Sequence, residues 1–435
     1  MRSFQSFEIG TMMNRCPKAL SLALLIMALA SPAAAQTITT TPVSLAEALN
    51  QLTQAAGTGQ LGDFMRQSTA VEIATMPLGT TSRGAVMELD PTTGLEVKTM
   101  STLGPSFAER ALTAGAGKAS VSVNLVVATY DKLNDLDLDR MQLTSTQAPV
   151  PQLQQKGFMS LVLSSTTTVI NGVIGATPKF DIGAMIPIVK VKVNGIAWTE
   201  NAVVRQQADG KVGPDILRQT TAIGESTGLG DVAVLGKFRL ARFGAAPKPD
   251  APVLPDPGGL ALMGTVRLPT GSREDLRGLG ITRAMLSLIV SAGKGRLKPH
   301  GSGGFEWWEK GINMTSPIDP TVTLRHQVQW NGGIELEAAP KLTIGLDVLG
   351  RHILGGGKVD GNTVTSAERP LTPAGITSLT YERATDHTLH KLSIIPSLKW
   401  NIKGKALLSL SGIASALDNG LHDMFTPVVG LDWTF

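Results

Sequence analysis

Apolar and polar residues alternate with a period of two in many stretches of this 435-residue chain, its end among them. From Phe425 to Phe435 every odd position is apolar, with Thr426, Gly430, Asp432 and Thr434 between. A run of this kind turns one face to lipid and the other to a lumen. Ending on an aromatic, it reads as the closing strand of a transmembrane β-barrel. Trp433 and Phe435 are accordingly the expected assembly signal, recognised by the barrel-assembly machinery.

The same alternation marks 322–338, where Leu324, Val328, Trp330, Ile334 and Leu336 alternate with polar residues. It continues after Pro340 through Leu342, Ile344, Leu346 and Val348. With runs near 119–129, 158–170, 179–194, 230–240, 259–268, 284–292, 298–308, 389–400, 404–414 and 425–435, twelve strands are predicted. The fold class is therefore all-β, a transmembrane antiparallel up-and-down barrel whose even strand number suits a single bacterial chain. Long connections (130–157, 195–229, 269–283, 309–321, 351–388, 415–424) then alternate with mostly short ones (171–178, 241–258, 293–297, 339–340, 401–403), which fall on the periplasmic side.

Compartment follows from the amino terminus. Arg15 and Lys18 precede an apolar run, Ala19 to Ala30, that ends in Ser31-Pro32-Ala33-Ala34-Ala35. This predicts a signal peptide over 1–35, cleaved after Ala35, and export to the Gram-negative outer membrane. The only cysteine, Cys16, falls in that segment, so the mature chain forms no disulfide or thiolate site. Three of the basic and one of the acidic residues leave with it, lowering the formal charge from +4 to +2 and giving no reason to expect nucleic acid. No other apolar run reaches the roughly 18 residues of a spanning helix. Mean hydropathy is only +0.11, as strands greasy on one face require.

Residues 36–117 do not alternate and are expected to form a partly helical plug or periplasmic segment before the barrel, 118–435. A helix is predicted over Ser44 to Ala55 and a hairpin at Asp90-Pro91-Thr92-Thr93-Gly94. That hairpin carries a fourteen-stranded alternative.

Four phrases in this order resemble an outer-membrane transporter family named for the phenol-degradation (meta) pathway, which is distantly akin to the long-chain fatty-acid outer-membrane channels. They are Gly104-Pro105-Ser106-Phe107-Ala108-Glu109-Arg110-Ala111-Leu112, Asp181-Ile182-Gly183 through Ile186-Pro187-Ile188-Val189, Gly228-Leu229-Gly230-Asp231-Val232, and Leu268-Pro269-Thr270-Gly271 through Gly280. The resemblance spans most of 70–435. It implies passive uptake of hydrophobic or aromatic small molecules and names no cargo or ligand-contact residues.

In the third strand Phe180, Ile182, Ala184, Ile186 and Ile188 share one face. Beyond Val189 the apolar set switches to Val189, Val191 and Val193, with Lys190 and Lys192 between. This phase slip predicts a β-bulge beside Pro187, which lacks a ladder donor. Ile186, Pro187, Ile188 and Val189 are the candidate gate for a sideways exit, the plainer reading being a bulge that curves the wall. By parity Asp231, Lys237, Arg239, Arg267, Arg325, Gln327, Gln329, Glu335, Asp347, Lys391, Lys399 and Asp432 face the lumen, where most are expected to pair. Arg267 and Arg325 together are a candidate carboxylate site.

Chemical motifs are weak. Gly57-Thr58-Gly59-Gln60-Leu61-Gly62 has dinucleotide-loop spacing without a preceding strand and is read as a linker. Gly115-Ala116-Gly117-Lys118 is read as a turn. Asp135, Asp137 and Asp139 have the spacing but not the glycine and distal glutamate of a calcium loop. The six histidines are scattered, and no serine has a nucleophile context. No enzyme, catalytic residue, metal or cofactor is expected. The expected function is an outer-membrane channel for hydrophobic or aromatic molecules with a lateral exit at the third strand. Its partners are outer-membrane lipid and lipopolysaccharide. Two other readings stand beside it: a non-transporting surface barrel whose long outer loops bind a partner and, more remotely, an outer-membrane lipid-modifying enzyme.

Overall fold

The computed structural model describes residues 37–38, 43–80, 87–90, 92–94, 96–98, 102–207, 210–244, 256–293, 295–314, 322–355, 358–368, 375–385, 387–403 and 406–435. The expected signal peptide and its cleavage after Ala35 lie outside the described residues.

Twelve antiparallel strands form a closed ring. They are β1 (Ala119–Tyr130), β2 (Gln155–Thr177), β3 (Phe180–Gln206), β4 in two collinear pieces (Val212–Leu229 and Ala233–Arg242), β5 (Gly258–Arg267) and β6 (Arg283–Ala292). The ring continues with β7 (Leu297–Trp308), β8 (Gln327–Ala339), β9 (Leu342–Ile353), β10 (Leu389–Lys403), β11 (Ala406–Ser415) and β12 (Phe425–Thr434). β12 returns to β1 from Val428↔Val126 to Thr434↔Ser120, and the Phe435 amide donates to the Ala119 carbonyl at 2.8 Å. Closure gives each strand two neighbours, the condition for carrying backbone through hydrocarbon.

Alternation decides the two faces. On β1, Val121, Leu125 and Val127 point outward and are exposed, whereas Ser120, Ser122 and Val126 are buried. Ile182, Ile186 and Ile188 of β3, Ile334 and Leu336 of β8, and Ile344 and Leu346 of β9 continue the exposed apolar belt. So continuous a belt fits only a hydrocarbon surround, and the barrel is transmembrane. No described helix is long and apolar enough to cross a membrane.

Helix α1 (Leu45–Ala55) starts where expected, with the Ser44 hydroxyl accepting from the Glu47 amide at 3.2 Å. The presumed linker at 57–62 is instead the beginning of a second helix, α2 (Gly59–Thr75). A side chain at Gly62 would come within 2.6 Å of the Thr53 hydroxyl, so the glycine that looked like a breaker lets the helices cross closely. Residues 106–112 are irregular. Met87–Leu89 and Glu96–Lys98 pair as a separate two-stranded sheet, which removes the fourteen-stranded alternative.

At the end opposite the barrel termini, the expected loop 195–229 is mostly strand: β3 runs on to Gln206 and the first piece of β4 follows. Its inner face is too small to produce an alternation signal. Gly195 lies under Leu52 and Gly224 under Leu45, and added Cβ atoms would meet those side chains at 2.7 and 2.8 Å. Lys358–Thr365 pairs with Ser378–Thr385, which pairs with Met141–Gln147, which pairs with β2. With β3 and β4 these strands make a six-stranded sheet above part of the rim.

Candidate functional site

Inward-facing residues divide the lumen into two zones. Towards the barrel termini they are polar or charged and buried: Asn171, Asp181, Lys237, His300, Glu335, Asp347 and Lys399. Towards the other end Val189, Val191 and Val193 of β3 and Leu349 and Ile353 of β9 join Leu45, Leu49, Leu52 and Phe64 in one apolar cluster, beside the buried charges of Arg283, Glu306, Arg351 and Lys391.

Residues 102–114 cross the charged zone and are fastened on several sides. Arg110 Nε donates to Glu335 Oε1 at 2.9 Å, with Nη2 on the second oxygen, a buried two-point pair. His300 continues the network, with Nε2 2.7 Å from Asp347 and Nδ1 3.4 Å from Glu335. Lys399 donates to the Pro105 carbonyl at 2.7 Å, the Leu103 amide to Thr343 at 2.9 Å and the Ala111 amide to Ser291 at 3.0 Å. Glu109 and Asp181 both approach Lys237, at 3.5 and 3.9 Å. Breaking one partner from such a buried pair typically costs about 3–5 kcal/mol, because the other charge stays behind without water. The segment is thus seated by buried ion pairs and hydrogen bonds, with Leu103, Ala108, Ala111 and Leu112 buried beside them.

The carboxyl end of α2 is held by a second group. Glu72 bridges Lys391 at 2.8 Å and Arg351 at 3.0 Å. Arg283 and Arg351 also donate to the Ala74 and Thr75 carbonyls, at 3.0 and 2.9 Å, so basic side chains cap the negative end of the helix. Burial alone would raise the Glu72 carboxyl, but Lys391 and Arg351 outweigh it and hold the group at about 2.

The expected bulge in β3 is absent. β3 pairs with β2 in unbroken step from Asp181↔Gly175 to Asn201↔Gln155, and every odd residue from Asp181 to Ala197 is buried. The extra residue lies in β4. Ile188 opposes Leu229 and Met185 opposes Ala233, so Ile186 and Pro187 face Gly230, Asp231 and Val232. The apolar switch at Val189 has another cause: the outward face reaches polar surroundings at Lys190 and Lys192, both bridged by Glu225, while the inward face meets the helices.

That interruption is a seam in the wall. Across it the Gly230 amide donates to the Pro187 carbonyl at 2.9 Å. The upper piece of β4 pairs with β3 and, in parallel, with Thr37–Ile38, but β5 pairs only with the lower piece. Residues 268–282 complete the wall there. The Leu268 amide donates to Val232 O at 2.8 Å, and the Thr270 hydroxyl accepts from the Val232 amide at 2.9 Å and donates to Gly230 O at 2.6 Å. Buried Asp231 accepts from the Gly271 and Leu279 amides and pairs with Arg283 at 3.2 Å. Leu276, fully buried, adopts a positive φ of 58°, a conformation disfavoured for a branched residue and paid for by its apolar surroundings. Apolar groups flank the seam inside (Leu78, Met185, Val189) and outside (Ile186, Ile188, Leu229).

Three of the four phrases read in the sequence therefore meet at the seam. The first, 104–112, lies below it on Lys237 and Glu335. The other lumen residues are placed as follows. Asp347 and Glu335 lie in the His300 network, Gln327 is buried, and Arg267 faces Glu306 at 3.5 Å. Asp432 borders a small cavity with Lys399, Asn124 and Phe107. Arg325 is exposed in a break before β8 and is not in a strand, unlike the half-buried Arg267 at the end of β5. Trp307 and Trp400 face outward at opposite ends, whereas Trp308 turns inward and is buried. Arg110 belongs to the first of those phrases, but Arg283, Arg351 and Glu72 had no signal beyond charge in or beside apolar runs.

No family model and no curated protein matches the chain. Solved structures similar to it include an outer membrane channel from Pseudomonas putida F1, with 11% identity over 74% of this chain and 97% of that one, at a TM-score of 0.42. The toluene transporter of Ralstonia pickettii has 11% identity over 74% and 90%, at 0.32. That of Pseudomonas putida has 11% over 73% and 88%, at 0.30.

Proposed function

We propose that the chain is a passive outer-membrane channel, not an enzyme, for uptake of hydrophobic or aromatic small molecules that leave sideways at Ile186 to Val189. Its outer face meets lipid and lipopolysaccharide, residues 1–35 direct export, 36–117 plug the barrel, and Trp433 and Phe435 serve assembly. One observation carries this reading: residues 102–114 and buried ion pairs shut the lumen at its short-turn end, an apolar cluster that includes Val189, Val191 and Val193 lines β3 above them, and the seam adjoins that cluster with apolar side chains on both sides of the wall. An apolar solute gains nothing by crossing the charged zone, where the ion pairs would have to be desolvated afresh. Leaving through the seam takes it past Met185 and Val189 inside and Ile186 and Ile188 outside once the Thr270 contacts and the Asp231–Arg283 pair give way.

Uptake of a radiolabelled monoaromatic hydrocarbon and of a hydrophilic sugar by intact cells tests the reading. Cells producing the protein are expected to gain hydrocarbon uptake and not sugar uptake. Thr270→Val, which removes both hydroxyl contacts at the seam, should alter the hydrocarbon rate several-fold. Equal gains for both solutes, or no gain for either, would sink the proposal. The latter result would favour a surface barrel whose outer sheet binds a partner.

A further inference from the structure

The described residues of the amino-terminal segment run from the long-loop end of the barrel to its short-turn end. The α1–α2 turn lies at the long-loop end: the Thr144 hydroxyl donates to Ala56 O at 2.9 Å and the Thr199 hydroxyl to Ala55 O at 2.7 Å. α2 then ends beside Arg283, Arg351 and Lys391, all on the same half of their strands. Gly79 is next to Asn124, partway along β1. Leu103 and Arg110 reach Thr343 and Glu335 near the short-turn end, Ala114 binds Asp181 at 3.0 Å, and the Gly117 amide bonds Gly175 O just before β1 begins.

Short turns mark the periplasmic side of such barrels and long loops the outside. We infer that the segment is threaded outward through the lumen during assembly, so that α1 and α2 form a lid on the cell surface. The inference rests on the outer-membrane orientation proposed above. The lumen is the only route for this stretch, since an irregular chain such as 102–114 cannot cross lipid with its backbone groups unpaired. A lid placed this way cannot swing into the periplasm as a hinged plug would, because α1 and its contacts with β3 and β4 lie beyond the rim, while the end of α2 is tied to the ring by Arg283, Arg351 and Lys391. It opens outward, by releasing Glu72 from Arg351 and Lys391, and it is within reach of molecules outside the cell.

Cys16 is the only cysteine and lies in the segment expected to be removed, so single-cysteine variants report position directly. Glu47→Cys and Gln54→Cys sit on exposed positions of α1, Gln152→Cys in a long loop and Lys341→Cys in a short turn. With a membrane-impermeant maleimide on intact cells, the two α1 variants and Gln152→Cys should label, and Lys341→Cys only after the membrane is disrupted. Labelling of Gln152→Cys but neither α1 variant on intact cells would overturn the threading and leave the channel reading standing. Labelling of Lys341→Cys but not Gln152→Cys would overturn the orientation and the inference with it.

Discussion

Glu72 shows how single side chains govern this molecule. A carboxylate buried beside a helix end would ordinarily favour its neutral form, yet Lys391 and Arg351 hold it at about 2. Its folded-state value lies below the ordinary 4.5, so its contribution is fully present above about pH 4.5 and is lost as pH falls towards 2. Hydrogen exchange over 59–75, corrected for the intrinsic rate, should therefore show weaker protection at pH 2.5 than at pH 5. Glu72→Gln should show weak protection at both. Equal protection of the native chain at both values would rule out this latch.

Elements here are positioned by the absence of side chains as much as by their presence. α1 buries Leu45, Leu49 and Leu52, each worth roughly 1.5–3 kcal/mol, against strands whose inner positions are glycine or alanine. Gly157 is the tightest of these positions: a Cβ there would collide with the Ala56 carbonyl oxygen, which belongs to backbone and cannot turn aside. Gly157→Ala is expected to push the α1–α2 turn off the wall while the ring of strands persists. Limited proteolysis should then cut near Gly57 at least several-fold faster, with the barrel fragment intact. An unchanged cleavage rate would show that the turn is not held at Gly157.

For the whole molecule, closure between β12 and β1 is the decisive event. Without it two edges of unpaired amides and carbonyls would face lipid, at a cost of several kcal/mol for each group. Trp433, Thr434 and Phe435 supply the last pairings, to Val121, Ser120 and Ala119. Deleting these three residues is expected to remove most folded barrel from the outer-membrane fraction, measured as the heat-modifiable band on a gel. A normal yield would mean that neither closure at this end nor the terminal aromatics matter for assembly.

The strand order was legible in the sequence because lipid on one side and a filled lumen on the other impose period two at every crossing, from Ala119–Tyr130 to Phe425–Thr434. α1 was legible through Ser44 and its periodic leucines. The sequence also isolated the four phrases that hold the seam and the segment below it. It misplaced the irregularity, because the change of apolar face at Val189 of β3 is also what a strand shows when it leaves lipid on one side and meets helices on the other. Only the tertiary structure decided that the extra residue lies at Gly230 to Val232, that Arg110 pairs with Glu335 and Glu72 with Arg351 and Lys391, and that residues 102–114 lie against inward-facing side chains of the barrel. The physical reason is range. Alternation records what each residue's own strand faces, whereas an ion pair across a lumen joins residues 225 or 279 positions apart and leaves no periodic trace in either.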